Sequence, residues 1–530
     1  MSLTAALTAY HLNRRERICT FVHVGKHLTS IQERIEPTQG SREVPSKIGV
    51  LGGVVYNRNA ELLTYILGVW CRPCSTTPFY NKGERTIMRF MQNLQPRYPL
   101  LIVLLVLLAA CSPIDSIGGN PTPTATPKPK PTHDPTRTTL EVCPAPLDSN
   151  PNCYTPRAFR QAYDVEALTE QGFTGKGQTV IDIVSYGSPT LQQDMDVFDK
   201  QFGLPPITIQ VVSPLGTVPY DPNKKDMTGW AGETELDVQI IHAIAPDAHI
   251  VVMTSPVDET EGTIGLPEFL KLEQYAVAHH LGQIFSQSYV ASEATLAGSA
   301  GQKLVKTFAD FYKQITTQQG FTIVSGSGDN GATDWANIAA TKLSPRPTVN
   351  FPADVPWVTA VGGTTLRNTP PTYDESAWSG SGGGMSTFFA EPAFQKSMPS
   401  SVQSELAGHR GLPDIAGDAN PETAMVNYIF GHWTQIGGTS ASTPFWAGIV
   451  AIANQVAGHS LGFINPALYK LGASPNAQKD FRDIINGSNN VDNGNIHVKG
   501  FQAVQGWDAV TGWGSPRASQ FISDLIAAMK

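Results

Sequence analysis

Cysteine is almost absent from most of this chain. Four of its six cysteines lie before residue 112, and only Cys143 and Cys153 remain beyond it. If those two pair, the long C-terminal part holds no thiol, and a cysteine nucleophile is excluded. Long apolar runs are scarce too. The one from Pro99 to Cys111 is too short for a membrane-spanning helix, which needs about 20 residues. Aspartate is missing from residues 1–87, where 11 Lys and Arg face 6 Glu, a net charge of +5 in a chain that totals −8. A basic arm of that kind can bind nucleic acid, but no aromatic or helical pattern accompanies it, and no nucleic-acid partner is expected. Trp70-Cys71-Arg72-Pro73-Cys74 has redox spacing without a βαβ pattern around it, so the redox reading is set aside.

Beyond residue 87 the chain has the organisation of an exported protein. Met88-Arg89-Phe90-Met91 opens a short basic stretch, and the apolar run Pro99–Cys111 after it suits a signal-peptide core. Its end, Leu108-Ala109-Ala110-Cys111, is similar to the lipobox of bacterial lipoproteins, which implies a lipidated Cys111 on the membrane. A signal peptide belongs at the start of a chain, so translation is expected to begin at Met88 or Met91. Residues 1–87 are then a non-translated or unstructured leader, and 88–111 the signal peptide. Residues 112–140 form a linker whose Pro121–Thr132 repeats stay extended at roughly 3 Å per residue. Residues 141–530 form the folded domain, large enough for a substantial core. Its Ile/Val runs alternate with helical segments and Gly-rich loops, an α/β pattern with a parallel sheet. In an exported chain, Cys143 and Cys153 are expected to form a disulfide that staples the start of this domain.

Three segments carry chemistry. In Gly437-Gly438-Thr439-Ser440-Ala441-Ser442-Thr443-Pro444 the glycines allow a tight turn just before a hydroxyl. The apolar run after it reads as a buried helix, placing Ser440 at its N-terminus, where backbone amides can hold an oxyanion. Alone, the same residues would serve as an ordinary N-cap. Glu233 and Asp237 are i,i+4 neighbours on one helical face, so they can share a proton and act as a general base. Glu235 falls on the opposite side and is expected in solvent; a solvated acidic helix start is the plain alternative. Asp329 lies in Ser325-Gly326-Ser327-Gly328-Asp329-Asn330-Gly331, after the strand-like Phe321–Val324. α/β folds place ligands at such strand ends. As a neutral acid Asp329 could donate to an oxyanion; otherwise it makes an Asx-turn.

Together these motifs resemble the sedolisin, or serine-carboxyl peptidase, family, whose fold is like that of subtilisin. The resemblance runs from about Cys143 to the C-terminus, and Thr174–Val180, Phe351-Pro352-Ala353, Thr359–Thr364 and Trp378–Gly384 are similar to family stretches too. It implies a doubly wound parallel sheet flanked by helices. It also implies Ser440 as nucleophile, Glu233 as base, Asp237 as its partner and Asp329 as oxyanion donor. Asp483, Ile484, Val504, Gly506 and Asp508 match the family's site for one structural calcium, although Val504 stands where a glycine is usual. The expected protein is a monomeric, lipid-anchored endopeptidase of the cell envelope acting on proteins or peptides below about pH 5, the range of ordinary carboxyls.

Two departures favour another reading, a catalytically inactive, surface-tethered binding protein. The stretch before Cys143 leaves no room for the long folded propeptide usual in the family. Asp182 also interrupts Val180-Ile181-Asp182-Ile183-Val184, where the family is usually apolar. A histidine triad is discounted, because His242 points away from the acidic face and His249 enters a strand.

Overall fold

A computed structural model describes residues 49–56, 62–69, 142–369 and 372–530. In the first of its two units, β1 (Gly49–Tyr56) pairs antiparallel with β2 (Leu62–Val69). The CxxC pair, the signal segment 88–111, Cys111 and the Pro/Thr stretch lie outside the described residues.

The second unit is organised by one sheet of eight strands. β3 (Thr179–Ser185) lies near its middle, with β5 (His249–Ser255) and then β4 (Gln210–Val212) on one side. On the other side come β6 (Ile284–Gln287), β7 (Thr322–Gly326) and β8 (Thr359–Thr369). Two strands share the long β8: antiparallel β9 (Thr372–Ala377) and parallel β10 (Ile415–Asp418). All other pairings within the sheet are parallel.

Parallel strands buried on both faces need apolar residues at consecutive positions, and the pleat sorts them. From β3, Val180 and Val184 enter one core while Ile181 and Ile183 enter the other. The first core is closed by α2 (Lys225–Ile244) and α5 (Thr439–Ala457), the second by α3 (Leu266–Ala278) and α4 (Ser299–Gln318). A further helix, α1 (Leu191–Phe202), packs beside α2. The expected doubly wound α/β architecture is therefore present, with an antiparallel strand at one edge.

α5 is apolar nearly all round because it is covered nearly all round. Its residues from Ala441 to Asn454 are buried, among them Phe445 and Trp446 with no exposed surface. Each such side chain contributes roughly 1.5–3 kcal/mol by leaving water. Gly448 allows α5 to press on α2: a Cβ there would lie 2.7 Å from Ile244 Cγ2. The helix ends at Gly458, whose left-handed φ of 75° provides the C-cap. The second core also encloses an acid. Glu273 of α3 is fully buried and accepts hydrogen bonds from Gln287, Tyr289 and Tyr312 at 2.7, 2.9 and 3.0 Å. Burial nevertheless pushes its pKa up to about 8. The Cys143–Cys153 disulfide is formed.

The chain runs β3, β4, β5 on one side and then crosses to β6 on the other. This reversal leaves a crevice at the carboxyl ends of the strands, where open α/β sheets bind ligands.

Candidate active site

At that crevice α5 begins. Both glycines before it are required by close approach. A Cβ on Gly437 would lie 2.4 Å from the Ala419 carbonyl oxygen, and one on Gly438, with φ +102°, 2.4 Å from Asp329 Oδ2. Ser440 is the second residue of the helix, at the positive end of its dipole. Pro444 lies one turn on and has no N–H, so the Ser440 carbonyl loses its helical partner. The Ser288 hydroxyl, just past β6, sits 3.4 Å from that oxygen.

α2 brings a carboxyl cluster beneath Ser440. Glu233 faces the Ser440 hydroxyl, which lies close enough to favour its charged form, although the two do not meet at full hydrogen-bond geometry and Glu233 Oε1 has no partner among the described residues. Burial outweighs this, and with the charges of Asp329 and Asp182 it pushes the Glu233 pKa up to about 8. Asp237, one turn along, is fully buried, and its Oδ1 accepts from Ser288 at 2.8 Å. Burial, then the charges of Asp182 and Glu233, hold its pKa well above the ordinary value. Asp237 also shares a hydrogen bond with Asp182 of β3, which burial raises to about 7. Asp237 thus engages Ser288 and Asp182, residues that its spacing on α2 could not indicate.

Asp329 follows β7, where Gly328 (φ +108°) turns the chain so closely that a Cβ would lie 2.1 Å from Asn350 Nδ2. Asp329 Oδ1 accepts from the Thr439 N–H at 2.7 Å and the Thr439 hydroxyl at 3.0 Å. The Thr439 oxygen accepts in turn from Gly328 N–H at 3.1 Å, locking loop to helix. With Oδ1 committed as an acceptor, a proton on the neutral acid belongs on Oδ2. Burial is the main cause raising the Asp329 pKa. The residue itself is exposed to the cleft, so this push reaches full strength only when a bound chain displaces water.

Ser440, Glu233, Asp237 and Asp329 are therefore brought together from three elements. Two cavities flank them. One, of about 200 Å³, is lined by Ser440, Asp329, Ser288, Glu261 and Asp334. The other, of about 360 Å³, is lined by Glu233, Ser288, Trp230, Asp226 and Asp258. A larger apolar groove of about 790 Å³ around Trp357, Phe394 and Phe463 shares no residue with either.

One expectation fails. Glu235 is not in solvent but fully buried, accepting from Ser188 at 2.7 Å and Gln239 at 3.3 Å, with its pKa pushed up to about 7 by burial. α2 is covered on both flanks, so its far side is a second interior. His242 faces away from the cluster, its Nε2 lying 3.2 Å from Asp199 and 3.0 Å from the Pro205 carbonyl. His249 is exposed at the start of β5. Ser288 was not anticipated; a hydroxyl just past a strand end is a weak signal without the fold.

The five residues matched to a calcium site also converge. Gly506 N–H donates to both oxygens of Asp483 at 3.0 and 3.2 Å, and Val504 N–H to Asp508 Oδ2 at 3.1 Å. Val504 has no left-handed φ, so replacing the usual glycine strains nothing, while Gly506 takes φ +84°. Ile484 is buried beside them. Burial raises Asp483 and pushes Asp508 up to about 7. Among the described residues neither carboxylate makes an ion pair. Both are hard oxygen donors of the kind calcium takes, but backbone N–H groups already engage them, and among the described residues no third acid stands with them.

Residues 216–494 match the subtilase family. Kumamolisin of Bacillus sp. (strain MN-32) is 31% identical over 390 residues, covering 71% of this chain and 64% of that protein. Sedolisin of Pseudomonas sp. (strain 101) is 30% identical over 351 residues, covering 63% of this chain and 56% of that protein. The chain thus spans less than two thirds of the length of these relatives. The solved structure of Pseudomonas sedolisin, a serine-carboxyl proteinase complexed with two molecules of pseudo-iodotyrostatin, superposes with a TM-score of 0.59 at 27% identity. That match covers 70% of this chain and 97% of the other.

Proposed function

Because this chain belongs to the subtilase family, on its sedolisin side, we propose that it is a serine-carboxyl endopeptidase. The observation that carries the reading is the Ser440 hydroxyl directed at Glu233, with Asp329 clamped through one oxygen by Thr439. Glu233 takes the proton of Ser440 as its oxygen attacks a peptide carbonyl, and Asp237 sustains Glu233 from the next turn. Asp329 Oδ2–H donates to the oxyanion, Glu233 returns the proton to the leaving amine, and water then releases the acyl group. A substrate chain lies extended across the two cavities.

The mechanism needs Glu233 ionised and Asp329 neutral. Activity therefore rises as the cluster loses its first proton and falls as Asp329 ionises. Burial raises all these carboxyls, so both limits lie above where free carboxyls would put them; an acid-side window is proposed because Asp329 must keep its proton. Cleavage of a denatured protein from pH 2 to 8 by wild type and Ser440→Ala tests this. Acid-side activity that vanishes in the variant supports the reading; an optimum at or above neutrality refutes the neutral-acid role.

The chain is further proposed to hold one structural calcium through Asp483, Ile484, Val504, Gly506 and Asp508, and to act as an exported monomer. It would be tethered to the cell envelope through a lipidated Cys111. An acylated Cys111 at the mature N-terminus, read by mass spectrometry, would support the tether; an intact leader in the native protein would end it.

A further inference from the structure

Asp182 is the only charged residue of β3, and it projects into the core closed by α2 and α5 with no exposed surface. A carboxylate in such a place is strongly disfavoured unless it is paired or neutral. Among the described residues no side-chain N–H or O–H reaches either of its oxygens or Asp237 Oδ2, and the one amide beside Asp182 is that of Ile183. Yet the two side chains share a hydrogen bond. Carboxyls bond each other only through a proton that one of them carries.

The surroundings supply no other charge. α5 contains no ionisable side chain. The strand neighbours of Asp182 in register are Val252 on β5 and Ser286 on β6. Ser286 is fully buried, and among the described residues its hydroxyl has no partner. The ionisable groups facing the site are all acids: Asp237 and Glu233 from α2, with Asp329 beyond Glu233. From Ser440 inward the order is Glu233, Asp237, Asp182.

We propose that Asp182 is a positioning residue of the peptidase site, sharing a proton with Asp237 and so turning the catalytic pair into a three-carboxyl relay that governs when Glu233 can accept the Ser440 proton. This rests on the peptidase function proposed for the site. The bridging proton turns Asp237 toward the sheet and keeps it neutral beside Glu233. Negative charge that enters the relay can settle on Asp182, and a charge there opposes ionisation of Glu233. Asp182 thereby moves the acid limit of activity upward. The residue that looked like degeneration in the sequence becomes a tuning element of a working site.

The test is the pH profile of kcat/KM for wild type, Asp182→Asn and Asp182→Ile, each shown to be folded by thermal melting. Removing the third acid lets Glu233 ionise with less opposition, so the acid limb should move down by about one pH unit in both variants. A residue of purely structural importance would change melting temperature and leave the limb in place. A limb unmoved in whichever variant folds overturns the proposal. Infrared detection of protonated carboxyls from pH 4 to 9 needs no turnover. In the wild-type-minus-Asp182→Ile difference, a band titrating at higher pH than ordinary carboxyls supports the shared proton, and its absence overturns it. Should the wild type cleave nothing while that band is present, the peptidase reading fails and the proton relay stands.

Discussion

Asp329 lines the cleft with one oxygen spoken for by Thr439 and the other beside Gly438, and this asymmetry makes its role separable by substitution. Asp329→Ala removes the donor and should lower kcat by on the order of a hundred-fold or more. Asp329→Asn keeps an acceptor for Thr439 and offers an amide N–H that does not ionise. It should therefore retain more activity than the alanine variant and lose the fall in rate on the alkaline side. Equal losses in the two variants, with an unchanged alkaline limb, would show that Asp329 does not act as a neutral donor. At this scale much of the site was legible. Ser440, Glu233, Asp237 and Asp329 each lie in a short motif whose local chemistry can be read from neighbours in the chain. Asp182 and Ser288 were not legible as partners of Asp237, because they reach it only when β3 and the end of β6 pack against α2.

Elements show what periodicity conveys and what it omits. The spacing of Glu233 and Asp237 correctly placed both on one face of α2, yet put Glu235 in water. A helical repeat gives the direction of a side chain, and only the neighbours decide what lies there. The side of α2 carrying Glu235 meets Ser188 and Thr190 before α1 and the backbone of Tyr428 through Gln239. The turn joining Val504 to Thr511 is the opposite case, since its residues were identified by likeness and now close on Asp483 and Asp508. Chelation with EDTA should lower the melting temperature of the folded chain, and added calcium should restore it. Substituting Asp508→Asn should remove that calcium response; a melting temperature indifferent to both chelator and calcium would rule the site out.

Across the whole molecule, buried acids set the pH dependence of stability. Burial pushes Glu235 and Glu261 up to about 7 and Glu233 and Glu273 up to about 8, whereas in an unfolded chain such groups titrate near about 4. The folded chain therefore binds more protons than the unfolded one between those limits. Stability contributed in this way is whole below the unfolded value and is lost as pH climbs to the folded values. The inactive Ser440→Ala chain should melt several degrees higher at pH 5 than at pH 8; a melting temperature that is flat, or higher at pH 8, would contradict this. The α/β class and the two-sided core were foreseeable from the Ile/Val runs, but not this load of interior acid, because a Glu in a helical pattern reads as surface until the packing is known. Glu273, held by a glutamine and two tyrosines in the second core, shows that the load extends beyond the cleft. When this chain melts at pH 6 it behaves as an acid, releasing protons to the medium, so the heat absorbed will depend on the ionisation enthalpy of the buffer that takes them up.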